Sequence, residues 1–127
     1  MSVVTSHSAQ VSRSRPFCAD HAAAYDLLIT DPVEPWVDAV HDVLVRTGRH
    51  TASVLDAGCG TGRHAAALTA RGHHVDLADA AGALLDQAAK RCPEARRYQA
   101  DLCSLDVGPA YQAVTCRGVL NDMITTF

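Results

Sequence analysis

Three acidic residues and three glycines carry the chemistry legible in these 127 residues. In "SVLDAGCGTGRHAAAL", residues 53 to 68, an apolar run ends on Asp56, Gly58, Gly60 and Gly62 follow at alternate positions, and an alanine-rich stretch begins. Glycine permits tight turning and lets a ligand lie directly against backbone. An apolar strand running into such a turn and then a helix is where doubly wound sheets hold nucleotide-like ligands. Asp79, in "HHVDLADAAGALL", lies about 20 residues beyond Gly58, the interval at which a carboxylate meets ribose hydroxyls. Asp101, in "YQADL", stands just past a further strand, where an acid can accept a hydrogen bond from an adenine amino group. Taken singly, Asp79 and Asp101 read as helix caps or loop residues. Their order and spacing favour a ligand.

The type of ligand follows from charge and spacing. A dinucleotide fingerprint wants G-x-G-x-x-G, but the third glycine comes one position early and Arg63 occupies the fingerprint's slot. A pyrophosphate at the helix start would also sit beside Asp56, and like charges in a partly desolvated site cost free energy. S-adenosylmethionine meets neither objection. It has no phosphate, carries an amino group and a sulfonium that a carboxylate at Asp56 attracts, and offers ribose hydroxyls to Asp79.

The elements that must position these residues alternate in type, as parallel strands linked by crossover helices do. The pattern predicts strand 52–57, helix 62–71, strand 73–78, helix 82–91, strand 96–99, strand 111–116 and a helical start near 119. Gly72 ends the first of these helices, and Pro93 follows the second closely. Leu84, Leu85, Ala88 and Ala89 share the second helix's inward side. Upstream, "FCADHAAAYDLLIT" offers a short helix carrying Tyr25, and "DPVEPWVDAVHDVLVRTG" a longer one. There Asp31 is expected to cap, Pro32 to take the first helical position, Glu34 to complete a capping box and Gly48 to stop the helix. Val33, Val37, Val40 and Leu44 lie on one face, with His41 as a half-buried packing neighbour.

"VLDAGCGTG" resembles the first motif of the class I S-adenosylmethionine-dependent methyltransferases. "VDLADAAGALL" resembles the segment after that family's second strand, and "QADL" and "AYQAVTCRGVLND" are similar to its third and fourth strand ends. The likeness covers roughly residues 21 to 122. It implies that Asp56, Gly58, Gly60, Asp79, Ala80, Asp101 and Leu102 hold the cofactor, with Cys116 and Arg117 near its methionine part. Tyr25 is placed like an aromatic residue that often covers the cofactor in these enzymes. Asn121 and Asp122 follow the fourth strand, where they either face a methyl acceptor or cap a helix. No catalytic base is assigned.

The resemblance also implies a sheet of seven strands in the order 3-2-1-4-5-7-6, of which this chain reaches the fourth. The expected fold is therefore α/β, a Rossmann-like doubly wound parallel sheet of about four strands in the order 3-2-1-4. Residues 1–15, with five serines and almost no apolar periodicity, read as a flexible tail, and 16–127 as the N-terminal half of the domain. Strand four is left as an apolar edge, an invitation to association. Either a second polypeptide completes the fold or the chain is part of a longer one. A heteromer is favoured over a homodimer, because a second copy repeats strands already present. The expected activity is methyl transfer to a small-molecule acceptor. The alternatives are a noncatalytic cofactor-binding or stabilising subunit, or a fragment of an NAD-dependent oxidoreductase.

Composition narrows the partners. Apolar residues make up 48% and the net charge is -3, which gives no electrostatic reason to expect nucleic acid or an anionic membrane. Five cysteines without a C-x-x-C pair support neither a disulfide framework nor a zinc clip, and Cys59 reads as a small packing residue. No stretch suits a signal peptide or a membrane span, so a cytoplasmic location is expected. His73 and His74 must point to opposite faces of a strand, and His7, His21 and His50 show no ligand spacing. His64 either reaches the pocket from the first turn after the glycines or sits at the surface. Arg63 is expected on the exposed face of its helix.

Overall fold

The computed structural model describes residues 10–11, 21–108, 110–117 and 123–124. The elements in chain order are β1 (Gln10–Val11), α1 (Ala22–Leu28), α2 (Glu34–Arg46), β2 (Ser53–Ala57), α3 (Arg63–Ala70), β3 (His74–Asp79), α4 (Gly82–Arg91), β4 (Arg97–Gln99), a 3-10 turn at Leu102–Ser104, β5 (Ala113–Thr115) and β6 (Met123–Ile124). Strands β2 to β5 form one parallel sheet in the order β4-β3-β2-β5. Counted from β2 this is the 3-2-1-4 order expected from the sequence.

Pairing register assigns each sheet face. Val54 opposes Val75 and Ala113, and Asp56 opposes Leu77 and Thr115. Val54, Val75 and Leu77 join Ala65 and Leu68 of α3, Leu85 and Ala88 of α4, and Val37 and Leu44 of α2 in one buried cluster. Val33 and Val40 pack on its border, so the predicted apolar face of α2 does face the core. Leu84, Leu85 and Ala88 of α4 are buried, whereas Ala89 is half-buried. On the opposite face Leu55 and Ala78 are also buried, as expected of a parallel strand covered on both sides. A polar bridge crosses that face: the Tyr111 hydroxyl donates to Asp76 Oδ2 at 2.6 Å and lies 3.3 Å from the Tyr98 hydroxyl. Val114, in register with Leu55 on the same face, is 62% exposed.

A pair of histidines fastens α2 to the base of the sheet. The Ala52 amide donates to His73 Nδ1 at 3.1 Å, which leaves His73 Nε2 as the protonated nitrogen. That nitrogen lies 2.9 Å from His41 Nδ1 and donates to it. His73 is buried and its neighbour His74 exposed, so the two do point to opposite faces. Burial, with His41 and His74 near, holds the His73 imidazole below its ordinary range.

The start of α2 differs from the expectation. The helix begins at Glu34 after Val33, with no side-chain cap, and Pro35 rather than Pro32 occupies its first turn. Asp31, before Pro32, lies ahead of the helix and caps nothing. Its carbonyl instead accepts a hydrogen bond from Arg63 Nη2 at 2.6 Å, an engagement of Arg63 that its expected solvent-facing placement did not include. Within the stretch read as a tail, Gln10 and Val11 pair antiparallel with Ile124 and Met123. A two-residue ladder needs no apolar periodicity and leaves none to read. The helical start near 119 falls at residues 118–122, outside the described residues.

Gly62 closes the turn between β2 and α3 with φ +83°, and a Cβ there would come within 2.9 Å of both Cα and Cβ of Ala88. The early third glycine is thus the point where α3 and α4 touch. Gly48 has a similar φ of +81° but open space around it. Gly62→Ala is expected to lower unfolding free energy by about 2–4 kcal/mol, from backbone strain plus overpacking, and Gly48→Ala by about 1–2 kcal/mol from strain alone. Urea denaturation of both variants checks this, and equal losses would remove the packing role of Gly62.

Candidate functional site

The glycine turn lies at the carboxyl ends of the parallel strands, the usual place for ligands in open α/β sheets. Its backbone is held mostly by its own surroundings. The Gly58 and Cys59 amides both donate to the Ala78 carbonyl, at 2.7 and 3.0 Å, and the Gly62 amide donates to the Cys59 carbonyl at 3.0 Å. The Gly60 amide donates to Asp79 Oδ2 at 2.9 Å. Each of these four amides thus already has an acceptor within the protein. Gly60 has φ +55° and nothing within 4 Å of where a Cβ would stand. Bare backbone there borders free space.

Asp79 closes β3. Its Oδ1 accepts from the Ala81 amide at 2.9 Å, so each carboxylate oxygen is oriented by one backbone N–H. Ala80 follows, half-buried. The Asp79 carbonyl accepts from the Ala100 amide at 3.2 Å, which places Asp101 and Leu102, both half-buried, beside the end of β3. Asp101 precedes the 3-10 turn without capping it.

Asp56 ends its strand inside the protein. It is 4% exposed, and its Oδ1 accepts from the Thr115 hydroxyl at 3.0 Å, across the β2–β5 pair. Burial pushes its carboxyl up to about 6, against the pull of that hydrogen bond and with help from the Asp79 charge. Two acids near one another, one of them deeply desolvated, fit a group that brings positive charge. The residues present therefore suit S-adenosylmethionine.

Cys116 and Arg117 follow β5 and are exposed. The Asp56 charge, after burial, raises the Cys116 thiol, so the two are close. Burial and both carboxylates push the Cys59 thiol far up, which suits packing and not nucleophilic attack. His64 lies half-buried on the first turn of α3, edge-on to Trp36 with ring centroids 5.2 Å apart. Burial, with Arg117 and Arg63 nearby, lowers its imidazole's proton affinity. Tyr25 lies within α1, and its side chain is outside the described residues, as are Asn121 and Asp122. Among the described residues no group of three or more potential metal ligands gathers, and no helix is long and apolar enough to cross a membrane. The residue that reading the chain missed is Thr115. Its only trace was a hydroxyl at the end of an apolar strand, and the partnership with Asp56 exists only once β5 is in register with β2.

Fold and site together define a Rossmann-like domain built for a nucleoside-bearing, cationic ligand. Residues 54–126 match the family described as methyltransferase domain. Over 106 residues, 81% of its length, the chain is 31% identical to the dTDP-4-amino-2,3,4,6-tetradeoxy-D-glucose N,N-dimethyltransferase of Saccharopolyspora spinosa, covering 43% of that protein. Among solved structures, the amino pentose methyltransferase CalS10 of Micromonospora echinaspora, with S-adenosylmethionine bound, is 32% identical, with a TM-score of 0.64, over 76% of this chain and 41% of that one. DesVI of Streptomyces venezuelae is 29% identical, with a TM-score of 0.66, over 76% and 42%. The chain belongs to the class I S-adenosylmethionine-dependent methyltransferases. It spans about two-fifths of the length of these relatives.

The raised Asp56 carboxyl has a consequence for stability. Unfolded, it titrates near 3.8; folded, near 6. The folded state therefore holds more protons between these values, and stability falls as pH rises through about 6. Asp56→Asn keeps an acceptor for Thr115 and removes the buried charge. It is expected to unfold later than wild type at pH 7.5 by about 1–3 kcal/mol, with the difference shrinking toward pH 4. Denaturant titrations at the two pH values check this, and a pH-independent difference would deny the buried charge.

Proposed function

We propose that this chain forms the cofactor-binding half of an S-adenosylmethionine-dependent methyltransferase whose acceptor is the amino group of a small molecule, an amino sugar. The observation that carries the cofactor assignment is the pair of carboxylates at Asp56 and Asp79 flanking a turn whose amides already have acceptors. The amino-sugar class is supported by the two relatives above 30% identity, both of which act on amino sugars by name.

When bound, the cofactor supplies an electrophilic methyl group on a sulfonium. The chain's own task is to bind, orient and exclude water. Asp79 accepts hydrogen bonds from ribose hydroxyls while Gly60 and Ala81 hold it in place. Gly58 and Gly60 allow backbone contact, and Asp101 and Leu102 border the adenine. Asp56 supplies negative charge toward the cationic part, with Cys116 and Arg117 alongside. By the family resemblance we assign Tyr25 a role in covering the cofactor and Asn121 and Asp122 roles toward the acceptor.

The remaining wall of the acceptor site comes from further strands. Among the described residues β5 pairs only with β2, and Val114 is exposed on a face where Leu55 is buried. The methyltransferase reading is favoured over an NAD-dependent enzyme by the two acids.

Titration calorimetry tests the cofactor. Micromolar affinity for S-adenosylmethionine or S-adenosylhomocysteine is expected, with none for NAD. Asp79→Ala is expected to weaken that binding by about 1–3 kcal/mol, and an unchanged affinity would take Asp79 out of the site. The open edge at β5 is tested by light scattering after size exclusion. The 127-residue chain is expected to self-associate at micromolar concentration, and Val114→Lys to reduce this by charging the open edge. A stable, monodisperse monomer would contradict an associating edge.

A further inference from the structure

Segment 26–31, at the end of α1 and just beyond it, is tied to the glycine turn by two arginines. Arg91, the last residue of α4, donates from Nη1 to the Thr61 carbonyl at 2.8 Å and from Nη2 to Asp26 Oδ2 at 2.6 Å. Arg63 Nη2 donates to the Asp31 carbonyl at 2.6 Å. The Thr61–Gly62 peptide is thereby held at both ends, because the Gly62 amide donates to the Cys59 carbonyl. Asp26 neighbours Tyr25 on α1, and its side chain is only 16% exposed. Arg91, beside it, holds its carboxyl below the ordinary range, so the ion pair persists at neutral pH.

We infer that Arg91 is a positioning residue that clamps α1 onto the glycine turn, making cofactor affinity depend on the docking of α1. The inference rests on the cofactor assignment proposed above. A guanidinium has a planar fork that satisfies two acceptors at once, whereas a lysine ammonium is a single point charge on a flexible stem. Without the fork, the Thr61 carbonyl loses one of the restraints that set the turn's shape, and α1 loses its charged anchor. Linkage then runs in both directions: if docking α1 favours the ordered turn, a ligand on that turn favours docking by the same factor.

The test measures S-adenosylmethionine binding by calorimetry in the full chain as wild type, Arg91→Lys and Asp26→Asn, together with thermal unfolding. Hydrogen exchange of residues 22–28 is followed with and without cofactor. Each variant is expected to bind about tenfold more weakly, the loss typical of a charge-assisted hydrogen bond. Cofactor is expected to slow exchange across α1 in wild type and not in Arg91→Lys. A purely structural role would lower the unfolding temperature and leave the affinity of the folded protein and the cofactor-induced protection intact. Affinity within twofold of wild type in both variants, or no cofactor effect on α1 exchange in wild type, overturns the clamp. Wild type that binds no S-adenosylmethionine overturns the assignment beneath it, a separate and recognisable result.

Discussion

A carboxylate kept out of water at the end of β2 is the constraint around which the rest is arranged. Asp56 has one hydrogen bond from Thr115 and almost no solvent, so its charge is costly without a cation nearby. The sheet must bring β5 into register to provide that hydroxyl. The turn must pass close by without adding negative charge of its own. The second acid, Asp79, must be restrained by amides so that it does not swing toward the first. Strand register supplies the hydroxyl, and backbone amides hold the second carboxylate.

The glycines divide this labour. Gly60 leaves open space where a ligand can lie on the backbone, whereas Gly62 is occupied by Ala88 and serves the contact between α3 and α4. Two glycines two positions apart thus answer to different partners, one to the ligand and one to the neighbouring helix. The G-x-G-x-G spacing follows: the last glycine sits where the helices touch, a position earlier than a dinucleotide fingerprint would place it.

Much of this could be read from the chain, for local reasons. The run from β2 through α4 shows period-two and period-3.6 patterning punctuated by glycine, and the strands and helices fall within a residue or two of where that patterning puts them. Asp56, Asp79 and Asp101 could be placed at strand ends because those ends are defined by neighbours in sequence. What escaped was non-local. Thr115 meets Asp56 only through strand register, Arg91 meets Thr61 and Asp26 only after α4 has folded back over the turn, and His73 meets His41 across 32 positions of chain. The start of α2 was misjudged for a different reason: two prolines, Pro32 and Pro35, offered two helix starts, and the helix takes the later one.

The imidazole pair beneath the sheet has a direction. Because the Ala52 amide claims one nitrogen of His73, the other must give its hydrogen outward, and His41 can only receive it. A proton added to His41 Nδ1 would set two N–H groups head to head across 2.9 Å, and one added to His73 Nδ1 would do the same against the Ala52 amide across 3.1 Å. Helix α2 is thereby joined to the sheet through a one-way coupling whose sense a main-chain group dictates.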